Sequence, residues 1–432
     1  MSDTDLLILG AGLAGISAAL HAPGEYRLVE RSDRPGGLCK TDAREGFLFD
    51  ATGHWLHLRD PEMRALAEAA LPGGWVTVER RAAIWSHRRF TPYPYQVNTH
   101  GLPAEVVAEN LLGFIEAHHG EGGRALRERE PRNFAEFILR HLGEGFARNF
   151  MFPYNAKLWT VHPREMSTAW MGRFVPRPTI AQVVRGALGL VDDRAGYNAS
   201  FLYPRQGGIE SLVRGLAARL PRPAECGIEP VALDLDRRVA RLSTGEEVRF
   251  RRAVATIALP EVVRLCGAAP PEIAAAAARL RATTVTYVNV AARDTGGPPF
   301  HWVYLPEERY GPYRIGSASA AVPSLAPPGC RSFYVEFSAA AARPAAEVER
   351  EALDALLDLG FLRGAGDVLF MDTRSIPHAY VIYDEAYGPA QRAIVSWLEE
   401  RGVLTAGRYG RWEYSSMEDA LLAGRECARK AA

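Results

Sequence analysis

An excess of charge of either sign is missing from this chain. Its 432 residues carry 51 Lys+Arg against 51 Asp+Glu, a formal net charge of zero. No global field therefore draws it to nucleic acid or to an anionic membrane surface, and an anionic ligand must be held by locally placed arginines. Cysteine is scarce. The five residues (Cys39, Cys226, Cys266, Cys330, Cys427) are odd in number and scattered without metal-ligand spacing, which fits a reducing, cytoplasmic compartment and core thiols. His87, His100, His162, His301 and His378 share no ligand spacing, and we expect no metal. Long apolar runs are also lacking. The N-terminus has Asp3 and Asp5 in place of a basic region, and the longest apolar run is broken by glycines, so we expect neither a signal peptide nor a membrane span. No repeat or low-complexity tract is evident. What remains is ordinary globular material, 47% hydrophobic and 24% charged, enough for two or three domains.

One stretch organises the rest. Leu6-Leu7-Ile8-Leu9 suits a buried parallel strand, Gly10-Ala11-Gly12-Leu13-Ala14-Gly15 a tight turn, and Ile16 to Leu20 the opening of a helix. Gly10 permits the turn, Gly12 leaves the backbone bare for a pyrophosphate, and Gly15 lets helix and strand pack closely, with the helix N-terminus facing the phosphates. A second strand, Tyr26 to Val29, delivers Glu30 twenty residues after Gly10, where its carboxylate can accept hydrogen bonds from ribose hydroxyls. Arg31 follows, and the paired Gly36-Gly37 let another backbone stretch, continuing through Leu38, approach the cofactor.

Further along, Phe47 to Asp50 reads as a strand entering a glycine turn, Gly53, that bears His54 and His57 three positions apart. Trp75 to Tyr95 alternates apolar and polar residues about a basic tip, Ser86-His87-Arg88-Arg89, and predicts a hairpin. Helical spacing takes over from Pro103 to about Thr168. Phe201 to Ile209 marks a turn before a helix from Glu210, and Val248 to Ile257 a returning core strand. Thr283 to Ala292 and Ser332 to Phe337 are β-rich and suggest a second, mixed sheet. The alanine runs 274–278 and 339–342 read as helix faces. Gly402 to Gly410 predicts a strand running into a glycine turn, followed by a helix from Ser416.

These motifs in combination resemble the flavin-dependent superfamily of amine oxidases, protoporphyrinogen oxidases and phytoene desaturases, and within it the UDP-galactopyranose mutase branch. Besides the N-terminal glycines, Glu30 and the Gly53 to His57 stretch, Tyr154-Asn155-Ala156-Lys157-Leu158-Trp159 followed by Pro163-Arg164-Glu165-Met166 is similar to the mutases' aromatic-x-x-Lys-x-Trp, Pro-x-Glu-Leu segment. Arg173 stands fourteen residues after Trp159, as the mutases' diphosphate-binding arginine does. Gly407-Arg408, with Trp412, Tyr414 and Met417 behind it, is similar to their C-terminal Gly-Arg motif. Two departures stand out. The mutases' Gly-Pro-His is here Thr52-Gly53-His54 preceded by Asp50, a form nearer the protoporphyrinogen-oxidase branch. Their Leu-Asp-Met-Asp is Ser415-Ser416-Met417-Glu418, without the first aspartate.

The resemblance implies an α/β fold with a discontinuous Rossmann-like FAD-binding domain (residues 1–58, 200–280 and 400–432). An inserted helical region spans 103–199, and a second mixed or antiparallel β-sheet substrate domain comprises 59–102 and 281–399. It implies FAD contacts from Gly10, Gly12, Leu13, Ala14, Gly15, Glu30, Arg31, Gly36, Gly37, Leu38, Gly53, His54, Gly407, Arg408, Tyr414 and Met417. Catalytic roles would fall to His57, His54, Arg173 and Arg408, with Arg173 the first candidate for the diphosphate. Substrate contacts would come from Gln96, Tyr154, Trp159, Arg173, Tyr383 and Tyr414, with Tyr380 an alternative hydroxyl donor. The implied activity is interconversion of pyranose and furanose forms of a nucleotide sugar by reduced-flavin N5 covalent catalysis. The alternative is an FAD-dependent oxidoreductase of a small molecule. NAD(P)H would serve as an external reductant visiting the flavin's own pocket, since only one glycine fingerprint occurs. The protein is expected as a monomer or homodimer without nucleic-acid partners. Each site residue has a structural alternative: His54 and His57 as buried, satisfied histidines, of which His57 is the preferred site residue, Trp159 as core packing, and Arg173 as an ion-pair partner of Glu165 or another acid.

Overall fold

The computed structural model describes residues 2–168, 170–171, 175, 177–190 and 199–431. It is an α/β fold built on two seven-stranded sheets. In the first, Ser2–Leu9 lies between Glu247–Ala255 and Tyr26–Glu30, parallel to both, and Val403–Thr405 adds in parallel beside Ala253 to Ala255. Strands buried on both faces need apolar side chains throughout, which explains the run from Leu6 to Leu9, each at most 3% exposed. Segments from the beginning, middle and end of the chain thus share one sheet. The helix Leu13–Leu20 covers it and is itself covered by Met417–Ala431, where Ser17 Oγ donates to the Leu421 carbonyl at 2.6 Å.

The second sheet runs in the order Val368–Val381, Ala282–Arg293, Cys330–Ala339, Arg314–Gly316, Trp302–Tyr304, Ala82–Ser86, Arg89–Pro92. It is antiparallel except where Trp302–Tyr304 pairs in parallel with Ala82 to Ile84, so it is mixed as expected. Helices Ala104–His119, Phe134–Phe146 and Phe152–Trp159 bury an aromatic core that includes Phe114, Phe134, Phe146 and Trp159.

Two expectations need correction. The 75–95 hairpin is only half formed. Ala82–Ser86 and Arg89–Pro92 pair about the basic tip, but Trp75–Glu79 pairs with Ser200–Pro204, a partner that local alternation cannot reveal. The 339–342 alanines are not a helix face. Ala339 ends a strand, 340 and 341 bend, and the helix Ala345–Asp358 begins only after Pro344, whose ring disfavours helix at the residue before it. Among the described residues no helix is long and apolar enough to cross a membrane.

Candidate active site

The glycine turn forms a cradle. A Cβ on Gly15 would lie 1.9 Å from the Gly10 carbonyl oxygen, so only glycine lets the helix sit this close to the strand. Gly12 caps the helix N-terminus, and a Cβ there would meet nothing nearer than the Gly37 Cα at 3.8 Å. The bare backbone therefore faces open space, as a phosphate-binding turn requires. Gly36 N donates to the Ala11 carbonyl at 2.8 Å, bringing Gly36 and Gly37 over the turn. Glu30 is buried, with Oε2 accepting from Ala11 N at 2.8 Å and Oε1 from Ser32 N at 3.0 Å. These bonds fix the carboxylate while each oxygen keeps acceptor capacity for a ribose. Gly407 closes against Ala14 and brings Arg408 to the same end of the fold. Met417 packs against the core beneath, which also takes in Leu13 and Ala14. The residues present fit an FAD.

Beyond the cradle, Leu38 and Ala51 pack with Tyr154, Leu158, Tyr313 and Tyr380 between the glycine turn and the second sheet. There an aromatic chamber is assembled. The Trp159 ring lies 5.5 Å from Tyr380, 6.3 Å from Tyr383 and 6.5 Å from Tyr414, all near perpendicular, while Tyr380 and Tyr414 stack at 6.0 Å. Tyr154 stands 5.4 Å from Tyr304, which meets Tyr93 at 5.4 Å. The Arg408 guanidinium carbon sits 5.2 Å from the Tyr380 ring centre and 4.9 Å from that of Tyr414. Its donors go only to backbone carbonyls, with Nε to Ala379 at 3.1 Å, Nη2 to the same carbonyl and Nη1 to Ser415 at 3.3 Å. Its charge thus has no carboxylate counterion among the described residues. Burial drives the Tyr154 and Tyr380 phenols above their ordinary range, so they remain protonated donors.

The two histidines part company. His54 lies within electrostatic reach of both Arg408 and Arg314. Burial pushes its pKa down to about 4, the two arginines add to the shift, the Thr52 backbone opposes it, and its Nδ1 is buried without a hydrogen-bond partner. His57 turns the other way. Its Nδ1–H donates to the Ser200 carbonyl at 3.0 Å, and burial, with Arg59 and Arg80 nearby, pushes it to about 4. Both rings are neutral near pH 7; His54 is the one brought to Arg314 and Arg408, while the preferred His57 faces Arg59 and Arg80. The Tyr383 hydroxyl accepts from Tyr414 N, and Gln96 is buried with its amide nitrogen 3.4 Å from Met151 Sδ. Arg173 lies outside the described residues. Beside the chamber, a cleft of about 1210 Å³ is lined by Arg80, Tyr93, Ser200 and His301 among others. A separate depression of about 610 Å³ beside Arg343 and Glu351 holds none of these groups.

Sequence reasoning missed the pair Arg314–Glu336. Arg314 Nη2 donates to Glu336 Oε1 at 2.7 Å and Nε to Oε2, a bidentate fork that leaves Nη1 outside the pair. Glu336 is 1% exposed and the Arg314 side chain 20%, so the acid is sealed behind the base. Burial works against the guanidinium charge, but the Glu336 carboxylate outweighs it and holds the group well above its ordinary range. A signal was present: Glu336 is the one charged residue in the apolar strand segment Phe333 to Phe337. No local feature pointed to Arg314.

The sequence profile of flavin containing amine oxidoreductases matches residues 13–432. The chain belongs to this family. As a family member it is a flavoenzyme, and the family implies FAD. Coproporphyrinogen III oxidase from Mycobacterium tuberculosis is 24% identical over 320 residues, 69% of this chain and 68% of that protein. Among solved structures, reduced UDP-galactopyranose mutase superposes with a TM-score of 0.92 at 25% identity, covering 98% of this chain and 93% of that one. A putative protoporphyrinogen oxidase from Exiguobacterium sp. 255-15 gives 0.72 at 18% identity over 100% and 99% of the two chains. Cyclohexylamine oxidase from Brevibacterium oxydans gives 0.69 at 17% identity over 99% and 98%. The mutase branch is where the family resemblance of the motifs had pointed.

Proposed function

We propose that this flavoenzyme is a UDP-galactopyranose mutase-like isomerase, interconverting pyranose and furanose forms of a nucleotide sugar. The observation that carries the reading is the presence of two arginines, Arg314 and Arg408, at an aromatic chamber beside a dinucleotide cradle. In this reading Arg408, which lacks a carboxylate counterion among the described residues, and Arg314 through Nη1 hold the diphosphate as it departs from the sugar. Arg173 joins them on the strength of its spacing from Trp159. Tyr154, backed by the buried Trp159, offers a stacking face to the base, and the Tyr380 and Tyr414 hydroxyls donate to the phosphates. Neutral His54 offers its unpartnered Nδ1 to a sugar hydroxyl. Gly10, Gly12, Gly15 and Glu30 would hold the flavin, which in its reduced form would supply the nucleophile for the anomeric carbon with no net consumption of electrons. NAD(P)H serves as the reductant. The likeness to reduced UDP-galactopyranose mutase over nearly the whole chain supports this reading.

A second reading, FAD-dependent oxidation of a small molecule, is favoured by the coproporphyrinogen III oxidase relative. The flat aromatic walls also suit hydride transfer. Titration of UDP into the FAD-loaded protein, followed by tryptophan fluorescence, separates the two. The mutase reading expects saturable quenching that Arg408→Ala weakens by about tenfold or more, the loss of a charge-assisted bond. No response to UDP, with flavin bleaching by a porphyrinogen or amine, assigns the second reading.

A further inference from the structure

Lys157 has no part in the chemistry above, yet its surroundings are unusual. Its Nζ lies 2.8 Å from the Leu305 carbonyl oxygen, 2.6 Å from that of Glu307 and 2.7 Å from that of Tyr310, with Pro312 O at 3.5 Å. An ammonium has three protons, and three backbone carbonyls receive them. The acceptors belong to the 305–312 loop that joins Trp302–Tyr304 to Arg314–Gly316, the strand that opens on Arg314. Carbonyl oxygens converging on one point repel each other unless a cation sits among them, and none of the bonds involves a carboxylate.

The helix that carries Lys157 also carries Tyr154 and Trp159, two walls of the chamber. The next residue repeats the attachment: Ser338 Oγ donates to the Leu158 carbonyl at 2.7 Å, and Ser338 lies on the strand that supplies Glu336. The loop is pinned at its base as well, by Leu305 N to Tyr313 O and Tyr313 N to Glu336 O, both at 2.9 Å. One helix turn is therefore tied to the loop that leads into Arg314 and to the strand that carries Glu336.

We propose that Lys157 is a positioning residue, an ammonium latch that fastens the 305–312 loop to the Phe152–Trp159 helix and so holds Arg314 in register with the aromatic wall. The latch deepens the proposed function and rests on it where Arg314 is taken to hold a diphosphate. Burial pulls the Lys157 pKa to about 8, against the raising influence of Glu307 and Glu308, so the group remains largely charged at neutral pH.

The test compares the FAD-loaded wild type with Lys157→Met, which keeps the apolar stem, and Lys157→Ala, which empties the site. Amide hydrogen exchange is read at Leu305, Tyr310 and Tyr313, whose N–H groups are bonded in the native loop. Both variants should exchange there about tenfold faster or more, the loss expected for bonds to a charged donor. Ethylammonium, which has N–H donors, should restore protection in Lys157→Ala, and tetramethylammonium, which has none, should not. A role in packing alone would spare Lys157→Met and show no distinction between the two ions, and either result overturns the latch. UDP affinity is measured in parallel. A tenfold loss in Lys157→Met that ethylammonium reverses in Lys157→Ala supports positioning of Arg314; unchanged affinity in a loosened loop removes that role. If the wild type itself fails to bind UDP, the functional reading falls and the exchange data still judge the latch.

Discussion

Replacing Glu336 by Gln keeps the shape of the side chain and removes its charge. Gln can still accept from Arg314 through its oxygen, but its amide then opposes the second guanidinium donor. Breaking a buried ion pair at one partner costs about 3–5 kcal/mol. The Arg314 side chain retains 20% exposure, which places the expected cost near the lower bound, about 3 kcal/mol. In urea, with a slope of about 3 kcal/mol/M, that moves the unfolding midpoint down by about 1 M. Arg314→Met should cost a similar amount, since it leaves the acid sealed at 1% exposure. The double variant Arg314→Met/Glu336→Leu replaces the pair with apolar groups and should be more stable than either single variant, a coupling of about 2–3 kcal/mol. It should also fold, retain FAD and fail to bind UDP, separating the contribution of the pair to the fold from its contribution to the site. Additive losses, or a Glu336→Gln midpoint equal to that of the wild type, would refute the argument that Arg314 depends on its buried acid.

Gly12→Val should give a folded protein without flavin, because its side chain meets open space until a phosphate arrives; a yellow, stoichiometrically loaded variant contradicts the cradle. Asp50 accepts from Thr41, Tyr203 and Ile209, yet burial raises its pKa from 3.8 to about 6. The folded state therefore binds this proton more tightly than the unfolded chain. The associated stability is fully present below pH 3.8 and is lost as pH rises through about 6, roughly 3 kcal/mol in all. The difference in unfolding free energy between the wild type and Asp50→Asn, measured from pH 4 to 8, should follow that curve, and a constant difference rules it out. His54→Gln should reduce turnover at least tenfold with FAD retained, while His57→Ala, which loses a bond to the Ser200 carbonyl, should lower stability by about 1 kcal/mol and act less on turnover; the reverse order would restore His57 as the site histidine.

How far the sequence could be read depended on how far apart the interacting residues lie. The cradle was legible because strand, turn, helix and Glu30 follow one another within a single stretch and each glycine has a local steric reason. The second sheet was visible as β-rich runs, but the partner of Trp75–Glu79 was not, because it lies beyond residue 199. Arg408 and the aromatic residues around it were named from motif likeness. Arg314, Glu336 and the bonds of Lys157 were not, because a bidentate pair across neighbouring strands and an ammonium facing a loop about 150 residues away leave no periodic trace. Which of the two histidines meets Arg314 and Arg408 was hidden for a related reason: both belong to one turn, and only its conformation decides where each ring points.

The central claim is that a reduced flavin serves here as a nucleophile that is regenerated. The most direct measurement is anaerobic incubation of the dithionite-reduced protein with UDP-galactopyranose and other nucleoside-diphosphate pyranoses, with products separated by chromatography and the flavin spectrum followed throughout. The account predicts many furanose products per flavin, none with the oxidised protein, and a flavin that stays reduced. Absence of furanose with every nucleotide sugar, together with stoichiometric oxidation of a porphyrinogen or amine by the oxidised flavin, would contradict it.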